Sequence, residues 1–573
     1  MAKGTGASSG IAIARAFVLP TLEWDLTDKM VDVADLAIEF EKLYDGIRSS
    51  KVELLHIKQD ISDLIGVEES NIFDAHLAIL EDPIFMNEVQ GIMQRQFKAA
   101  EVAVKETIDK FVGMFELLDD SYMKERSADI RDVGNRLLKH LLGDLEEPKP
   151  PSEIPYILVA KELSPSQLAH VDSQQILGIV TLQGGTTSHA AIMARALEIP
   201  FVLGMEGKLA KPILNGDLLI IDGEEGMVYV NPVQELVELY LQRKKDILAH
   251  REWLQALANV RPVTSDGQSI ELKANISSLK ELDLALKNGA SGVGLFRTEF
   301  IYMDRTMLPT EEEQFDVYRK AAERLQDKSL IIRTFDIGGD KSVGYIQFPE
   351  EDNPSLGYRA IRISLAQTDM FKTQLKAILR ASHYGSVRIM YPMISSLDEV
   401  RKANHVLEQA KKELRENNQP FQENIEVGIM IEVPAAVIIA DQLAEEVQFF
   451  SIGTNDLIQY VLAVDRMNET IAHLYDPYHP AIIRLLKMTV DSAKRQGIQV
   501  SVCGELAGDV LAIPLWLDLG IEELSMSVQS LLPFKNRLLH TERAASQGII
   551  EQALLCKTSL EIRNLLERSR IKH

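Results

Sequence analysis

From Pro262 onward, short aliphatic and β-branched runs alternate with stretches of helical period. No other feature of the chain restricts its fold as strongly. The runs are ELKANI, GVGLFRT, LIIRTFD, VRIMYPM, VGIMIEV, FFSIGT, QVSVCG and ELSMSV. Each is followed by a helical stretch, which makes eight β-then-α units in about 310 residues. An open doubly wound sheet competes with a closed (β/α)8 barrel for such a pattern, and the count of eight favours a barrel over residues 262–573.

The N-terminal half reads differently. From about Asp25 to Gly143 the apolar period is helical: Leu36, Phe40, Leu43, Ile47, Leu54, Ile57 and Ile61 share one helix face. A second such stretch runs from about Phe97 to Leu142. This predicts a helical bundle over 25–147, ended by Pro148, Pro150, Pro151 and Pro155, which forbid a continuing helix. The runs YILVA, ILGIVTL, FVLG, LLIIDG and MVYVNP then read as strands, with one helix, SHAAIMARALE, among them. The opening GIAIARAFVL has the same strand character. The expected fold is therefore α/β: residues 1–24 and 148–231 form one α/β domain into which the bundle is inserted. A single charged helix over 234–259 fills a linker at 232–261 and acts as a semi-rigid spacer that lets two halves move.

Composition narrows the function. With 46% hydrophobic and 25% charged residues among 573, the chain has ample core for several soluble domains. Its net charge of −24 repels polyphosphate backbones and anionic membranes, which argues against nucleic-acid binding by bulk electrostatics. Two cysteines, Cys503 and Cys556, do not make a disulfide framework and fit a reducing compartment. No run of 18 apolar residues occurs, and the N-terminus lacks a basic region followed by an apolar stretch. The expectation is a cytoplasmic protein with no membrane insertion.

In a barrel of this kind, chemistry belongs at the C-terminal ends of the strands. The second strand ends in Arg297 and Glu299, and the third in Arg333, followed by Asp336, Asp340 and Lys341. Arg359 and Arg362 follow in the next loop. Glu432 ends the fifth strand, Asn455 and Asp456 the sixth with Arg466 beyond, and Cys503 and Glu505 the seventh. Such arginines suit a compact polyanion through charge-assisted bonds. Glu432 and Asp456 are hard oxygen donors suited to Mg2+, which accepts few carboxylates and leaves positions for substrate oxygens. A magnesium-bound phosphorylated acid is the natural guest; structural salt bridges at loop starts are the alternative.

The second concentrated feature is GGTTSHAAIMAR. Gly184 and Gly185 allow close backbone approach, and Thr186 to Ser188 can cap the helix that follows. His189 then sits in a first turn, where free N–H groups favour a bound phosphate. Imidazole is a competent nucleophile toward phosphorus at neutral pH. A lone histidine beside a cap is often incidental, but the glycines and hydroxyls around this one favour a functional role. No second histidine lies at metal-ligand spacing on this helix, which disfavours zinc.

At these residues the chain resembles Enzyme I of the bacterial sugar phosphotransferase system, the phosphoenolpyruvate–protein phosphotransferases. GGTTSHAAIMAR resembles that family's phosphohistidine signature, and FFSIGTNDLIQYVLAVDR its second signature. GVGLFRTEFIYMDR, RTFDIGGDK, NPSLGYRAIR, GIMIEVPAA and VCGELAGD match in order, and the helical insert matches through IFDAHLAILEDP and YMKERSADIRDVGNRLL. The resemblance implies a kinase-type transferase that performs the first step of the sugar phosphotransferase system, which serves sugar transport. His189 takes the phosphoryl group of phosphoenolpyruvate (PEP) and passes it to the carrier protein HPr, releasing pyruvate. It further implies that Arg297, Arg333, Asn455 and Arg466 bind PEP, with Arg359 and Lys341 nearby. Glu432 and Asp456 would be magnesium ligands, and Cys503 the proton donor that completes pyruvate. The insert at 25–147 would be the HPr-docking subdomain, and the barrel would carry both PEP binding and homodimerisation.

A thiol with an ordinary pKa of about 8.5 is mostly protonated at neutral pH and can serve as that donor. Read without the resemblance, Cys503 is better explained as a buried apolar cysteine, and Cys556 keeps that reading. Three positions depart from the family pattern. Thr186 stands where a basic residue is usual, Ser355 replaces the common phenylalanine of NPFLG, and SVCGE replaces GMCGE. A PEP-binding regulatory scaffold without turnover is the alternative these departures suggest. A dikinase or PEP synthase would need an ATP-binding domain, and no glycine-rich nucleotide loop is present.

Overall fold

The computed structural model describes the chain apart from residues 21–25, 27–28, 65–69, 71, 118–120, 144–153, 171–174, 186–187, 304, 306, 339–344, 346–350, 469 and 571–573. Contacts divide it into two compact units, Met1–Ala249 and His250–His573.

The first unit is built on an eight-stranded mixed sheet in the order β1-β8-β7-β3-β4-β5-β6-β2. Its strands are β1 (Ala2–Lys3), β2 (Thr5–Ser8), β3 (Ile11–Val18), β4 (Tyr156–Ala160), β5 (Ile176–Thr181), β6 (Phe201–Leu203), β7 (Leu218–Asp222) and β8 (Met227–Val230). β3 pairs with β4 in parallel, so the intervening chain is an insertion into this sheet, as the sequence pattern predicts. The insertion carries helices α1 (Leu36–Leu64), α2 (Ile72–Glu81), α3 (Pro83–Gln96), α4 (Ala100–Glu116) and α5 (Ser121–Leu142). Leu43, Ile47, Leu54, Ile57 and Ile61 are buried in its core, in keeping with their helical spacing. Helix α1 begins at Leu36 rather than near Asp25. Local chemistry sets another start: the Asp82 carboxylate accepts the Ile84 N–H at 2.7 Å, and Pro83 occupies the first helical position.

β4 is buried along its whole length because both sheet faces are covered. Tyr156, Leu158 and Ala160 join the core shared with the helical insert, while Ile157 and Val159 join a second core on the opposite face. β1 and β2 lie at opposite edges of the sheet yet are joined by Gly4 alone, so the sheet curls until its edges nearly meet. The curl leaves no room beyond the Gly4 backbone: a Cβ there would stand 2.5 Å from the Leu203 carbonyl oxygen. Short helices α6 (Pro165–His170) and α7 (His189–Ala196) follow β4 and β5, and α8 (Gln234–Ala256) is the charged linker helix.

The second unit contains a closed barrel of eight parallel strands. They are β9 (Glu271–Ile276), β10 (Val293–Phe296), β11 (Leu330–Arg333), β12 (Val387–Tyr391), β13 (Val427–Ile431), β14 (Phe449–Ile452), β15 (Gln499–Val502) and β16 (Glu523–Ser527). Each coincides with one of the eight runs in the sequence. The helices between them carry local start signals, including reciprocal capping boxes at Thr310 with Glu313 and at Ser396 with Glu399. Alternation along the strands divides the apolar residues into two sets. Ile332, Ile389, Ile429, Phe450 and Val502 belong to the large core beneath the helices. Leu295, Ile331, Met390, Met430, Phe449 and Cys503 form a separate cluster on the other strand face, the barrel interior.

Candidate active site

That alternation continues beyond the strand ends and aims the candidate residues inward. Arg297 follows Leu295, Arg333 follows Ile331 and Glu432 follows Met430, each two residues on and therefore on the interior face. The Arg333 guanidinium also touches the Met430 sulfur at 3.8 Å.

Charged groups pair closely here. Arg333 is buried and binds Glu299 through a very short contact and Asp336 at 2.8 Å. Arg359 is buried as well; its guanidinium reaches the other Asp336 oxygen at 2.9 Å and Asp456 at 3.6 Å. Burial works against charge on both arginines, yet both are held well above the usual guanidinium range. Asp336 and Glu299 outweigh burial at Arg333, and Asp336 and Asp456 do so at Arg359. Asp336 is thus the bridge between two substrate-binding candidates. Arg466 stands 3.9 Å from Asp456 and stays half-exposed. Arg297 makes no ion pair or side-chain hydrogen bond among the described residues.

Glu432 is buried, accepts the Met393 N–H at 2.6 Å, and has its pKa pushed up to about 8. Burial is the main cause, reinforced by the Asp456 and Asp336 carboxylates and opposed by Arg333 and Arg359. Cys503 is buried and its thiol is pushed up to about 11, chiefly by burial. Its Sγ faces the Ile452 carbonyl at 3.6 Å, and the electrostatic field of Arg297 and Arg333 acts on it. Asn455 exchanges two hydrogen bonds with Glu505: its amide donates to the carboxylate at 3.2 Å and its oxygen accepts the Glu505 N–H at 2.8 Å.

The structure differs from the sequence reading at one arginine. The Arg362 guanidinium donates to the Leu356 and Gly357 carbonyls, both at 2.7 Å, and so clasps its own loop. Lys341, Asp340 and Thr186 lie outside the described residues. Ser355 presents its backbone: its carbonyl accepts the Tyr460 hydroxyl at 2.6 Å. Tyr460 also accepts from Arg359 at 3.0 Å, a linking role that residue type alone does not reveal. The signal available in the sequence was its place six residues after Thr454, within the second signature.

In the first unit His189 is the first residue of α7 and is half-buried. Ser188 is the N-cap, its hydroxyl accepting the Ala191 N–H at 3.3 Å. Gly184 has φ +116, a conformation that side chains rarely adopt; a Cβ there would meet only Thr181 Oγ1 at 3.9 Å. Backbone conformation, and not crowding, therefore requires that glycine. The arrangement presents an imidazole at a helix start behind a glycine turn, a geometry suited to nucleophilic attack on a phosphoryl group.

Comparison with known proteins agrees in order and extent. Family profiles for PEP-utilising enzymes match in three places: the N-terminal domain at residues 3–126, the mobile domain at 153–226 and the PEP-binding domain at 251–543. The phosphoenolpyruvate-protein phosphotransferase of Geobacillus stearothermophilus is 46% identical over 99% of this chain and 97% of its own length. That of Bacillus subtilis is 45% identical over 98% of each chain, and that of Staphylococcus aureus 43% over 98% of each. The match to these relatives runs along nearly the full sequence and the three family profiles follow one another in order, so the chain belongs to the phosphoenolpyruvate-protein phosphotransferase family of PEP-utilising enzymes.

Proposed function

We propose that this enzyme transfers the phosphoryl group of PEP to its own His189 and then to the carrier protein HPr, releasing pyruvate. The observation that carries the reading is the charge arrangement inside the barrel. Arg297 is uncommitted among the described residues, next to an interior lined by Arg333, Arg359, Glu432 and Cys503. A small trianion with a carboxylate and a phosphate fits such a site. Arg297 and Arg466 bind it directly, and Arg333 and Arg359 supply fixed positive charge held in place by Asp336. Asn455 and Lys341 complete the binding set.

Glu432 and Asp456 are the metal-holding pair in this reading. A carboxyl kept near 8 by burial and by two other carboxylates is short of positive charge, and an all-oxygen donor pair suits a hard divalent cation. Among the described residues no group of three or more acidic, histidine or cysteine side chains could hold a metal ion by itself. Glu432 and Asp456 would hold Mg2+ as a pair, with the remaining positions left to substrate oxygens. When bound, the ion neutralises charge on the phosphate and on the departing enolate.

Transfer breaks the P–O bond of PEP and forms an N–P bond at the His189 imidazole. The enolate left behind takes the Cys503 Sγ proton onto its terminal carbon, which gives pyruvate, and the thiolate regains a proton from solvent. Because burial keeps the thiol protonated, the donor is loaded at neutral pH. His189 then releases the phosphoryl group to HPr, docked on the helical insert at 25–147. His189 belongs to one unit and the arginines to the other, so the linker helix must let His189 visit the barrel and then the carrier. The barrel also serves homodimerisation, and the setting is the cytoplasm; among the described residues no helix is long and apolar enough to cross a membrane.

The test is incubation with PEP and Mg2+, followed by phosphate mapping. An acid-labile, alkali-stable phosphate on His189, lost with pyruvate present when HPr is added, is expected. PEP binding without any label would overturn turnover and favour a binding scaffold.

A further inference from the structure

Beneath the PEP-binding residues lies a chain of buried hydrogen bonds that touches no charged group. Gln374, on the helix Thr368–Ala381, is fully buried. Its Oε1 accepts the Phe335 N–H at 2.9 Å. Its Nε2 donates to the Thr298 hydroxyl at 3.2 Å and to the Tyr318 hydroxyl at 3.3 Å. Thr298 in turn donates to the Arg333 carbonyl at 2.9 Å. The Tyr318 hydroxyl donates to Gln314 Oε1 at 3.3 Å, and Gln314 Nε2 ends the chain by donating to the Pro309 carbonyl at 3.3 Å.

These partners occupy informative positions. Thr298 lies between Arg297 and Glu299, directly beyond β10. Arg333 ends β11, and Phe335 lies in the segment beyond it, between Arg333 and Asp336. One carboxamide therefore holds two strand ends: through Thr298 it fixes the segment bearing Arg297, and through Phe335 the segment between the paired Arg333 and Asp336. An apolar side chain of similar size would fill the space but leave the Phe335 N–H without its buried acceptor.

We propose that Gln374 is a positioning residue for PEP, setting the separation of the Arg297 and Arg333 guanidinium groups through Thr298 and Phe335. The proposal rests on the PEP-binding reading above. A displacement near 1 Å at a reacting site lowers turnover by about a hundredfold, so such spacing is a sensitive quantity.

The experiment compares the full-length wild type with Q374M, T298V and T298S, measuring KM and kcat for PEP at saturating Mg2+, and confirming folding by the emission of the buried Trp516. Q374M and T298V are expected to raise KM and lower kcat, so that kcat/KM falls about a hundredfold, while T298S, which keeps the hydroxyl, recovers most of the loss. Variants that unfold more easily but keep KM and kcat within about twofold of the wild type would reduce Gln374 to a stabilising role and overturn the proposal. If Q374M fails to fold, the T298V and T298S pair decides alone, because equal kinetics in those two removes the need for the hydroxyl. A wild type that takes no label from PEP overturns the underlying reading instead, and the two failures are thereby distinct.

Discussion

Replacing Asp336 with asparagine tests whether the paired charges at the barrel mouth hold the site together. Asp336 is buried and uses both oxygens, one on Arg333 at 2.8 Å and one on Arg359 at 2.9 Å. Asparagine preserves shape, but it turns one acceptor into a donor facing a guanidinium and removes the charge between two buried cations. Two charge-assisted bonds at about 1.5–3 kcal/mol each put the loss near 3–6 kcal/mol. Two effects reduce it. Arg333 keeps Glu299 and Arg359 keeps Asp456, and Glu432 ionises more readily once a neighbouring carboxylate is gone. The expected destabilisation of the barrel is about 3 kcal/mol, at the lower end for breaking a buried pair. Urea unfolding followed by Trp516, with Trp24 and Trp253 changed to Phe, reports the barrel alone, since Trp516 is buried in its helix Ile513–Leu519. The midpoint should fall with the slope unchanged. Asp369→Asn, at a fully exposed side chain 4.0 Å from Lys372, serves as control and should leave the midpoint unchanged. A D336N loss below about 1 kcal/mol, the range of surface pairs, would refute the reasoning.

Other changes separate binding from chemistry. Arg297→Ala should weaken PEP by about ten- to a hundredfold in calorimetry, with an unfolding midpoint like the wild type, because no described protein partner is lost; unchanged affinity would remove Arg297 from the site. Cys503→Ala should slow pyruvate formation by about 10²–10⁴-fold in single-turnover quench experiments, and wild-type rates would assign the proton to another donor. The raised thiol also makes a pH prediction. The folded state keeps this proton up to about 11, whereas the unfolded chain releases it near the ordinary thiol value of about 8.5, so the thiol's contribution to stability is complete below that value and is lost as pH rises through about 11. Iodoacetamide at pH 8 should accordingly modify the half-exposed Cys556 before Cys503, as read by peptide mass spectrometry. Gly184→Ala forces a side chain into φ +116 at a cost of about 1–3 kcal/mol, and should slow His189 labelling while PEP affinity stays unchanged; labelling at the wild-type rate would show that the turn does not set His189.

Much of this molecule is legible from local pattern. Backbone periodicity is a short-range property, so the eight runs after Pro262 specify strands, and the two-residue alternation aims Arg297, Arg333 and Glu432 at the barrel interior. The Ser188–His189 step likewise announces a helix start, and the change from helical to strand period marks the insertion. Pairing across the barrel was not legible, because it joins residues far apart in sequence whose distances exist only once the barrel closes. Four arginines that look alike in sequence, Arg297, Arg333, Arg359 and Arg362, become one group uncommitted among the described residues, two partners of Asp336 and one loop clasp. Gln374 and Tyr460 carry no motif that reveals a hydrogen-bonding role, and the meeting of β1 and β2 around Gly4 follows from the curl of a whole sheet. The sequence alone determined the elements, the faces they present and the kinds of chemistry at their ends. Which charges neutralise one another, which remain for a substrate and which buried amide spaces them were decided by tertiary structure, since those depend on through-space contact and shared burial.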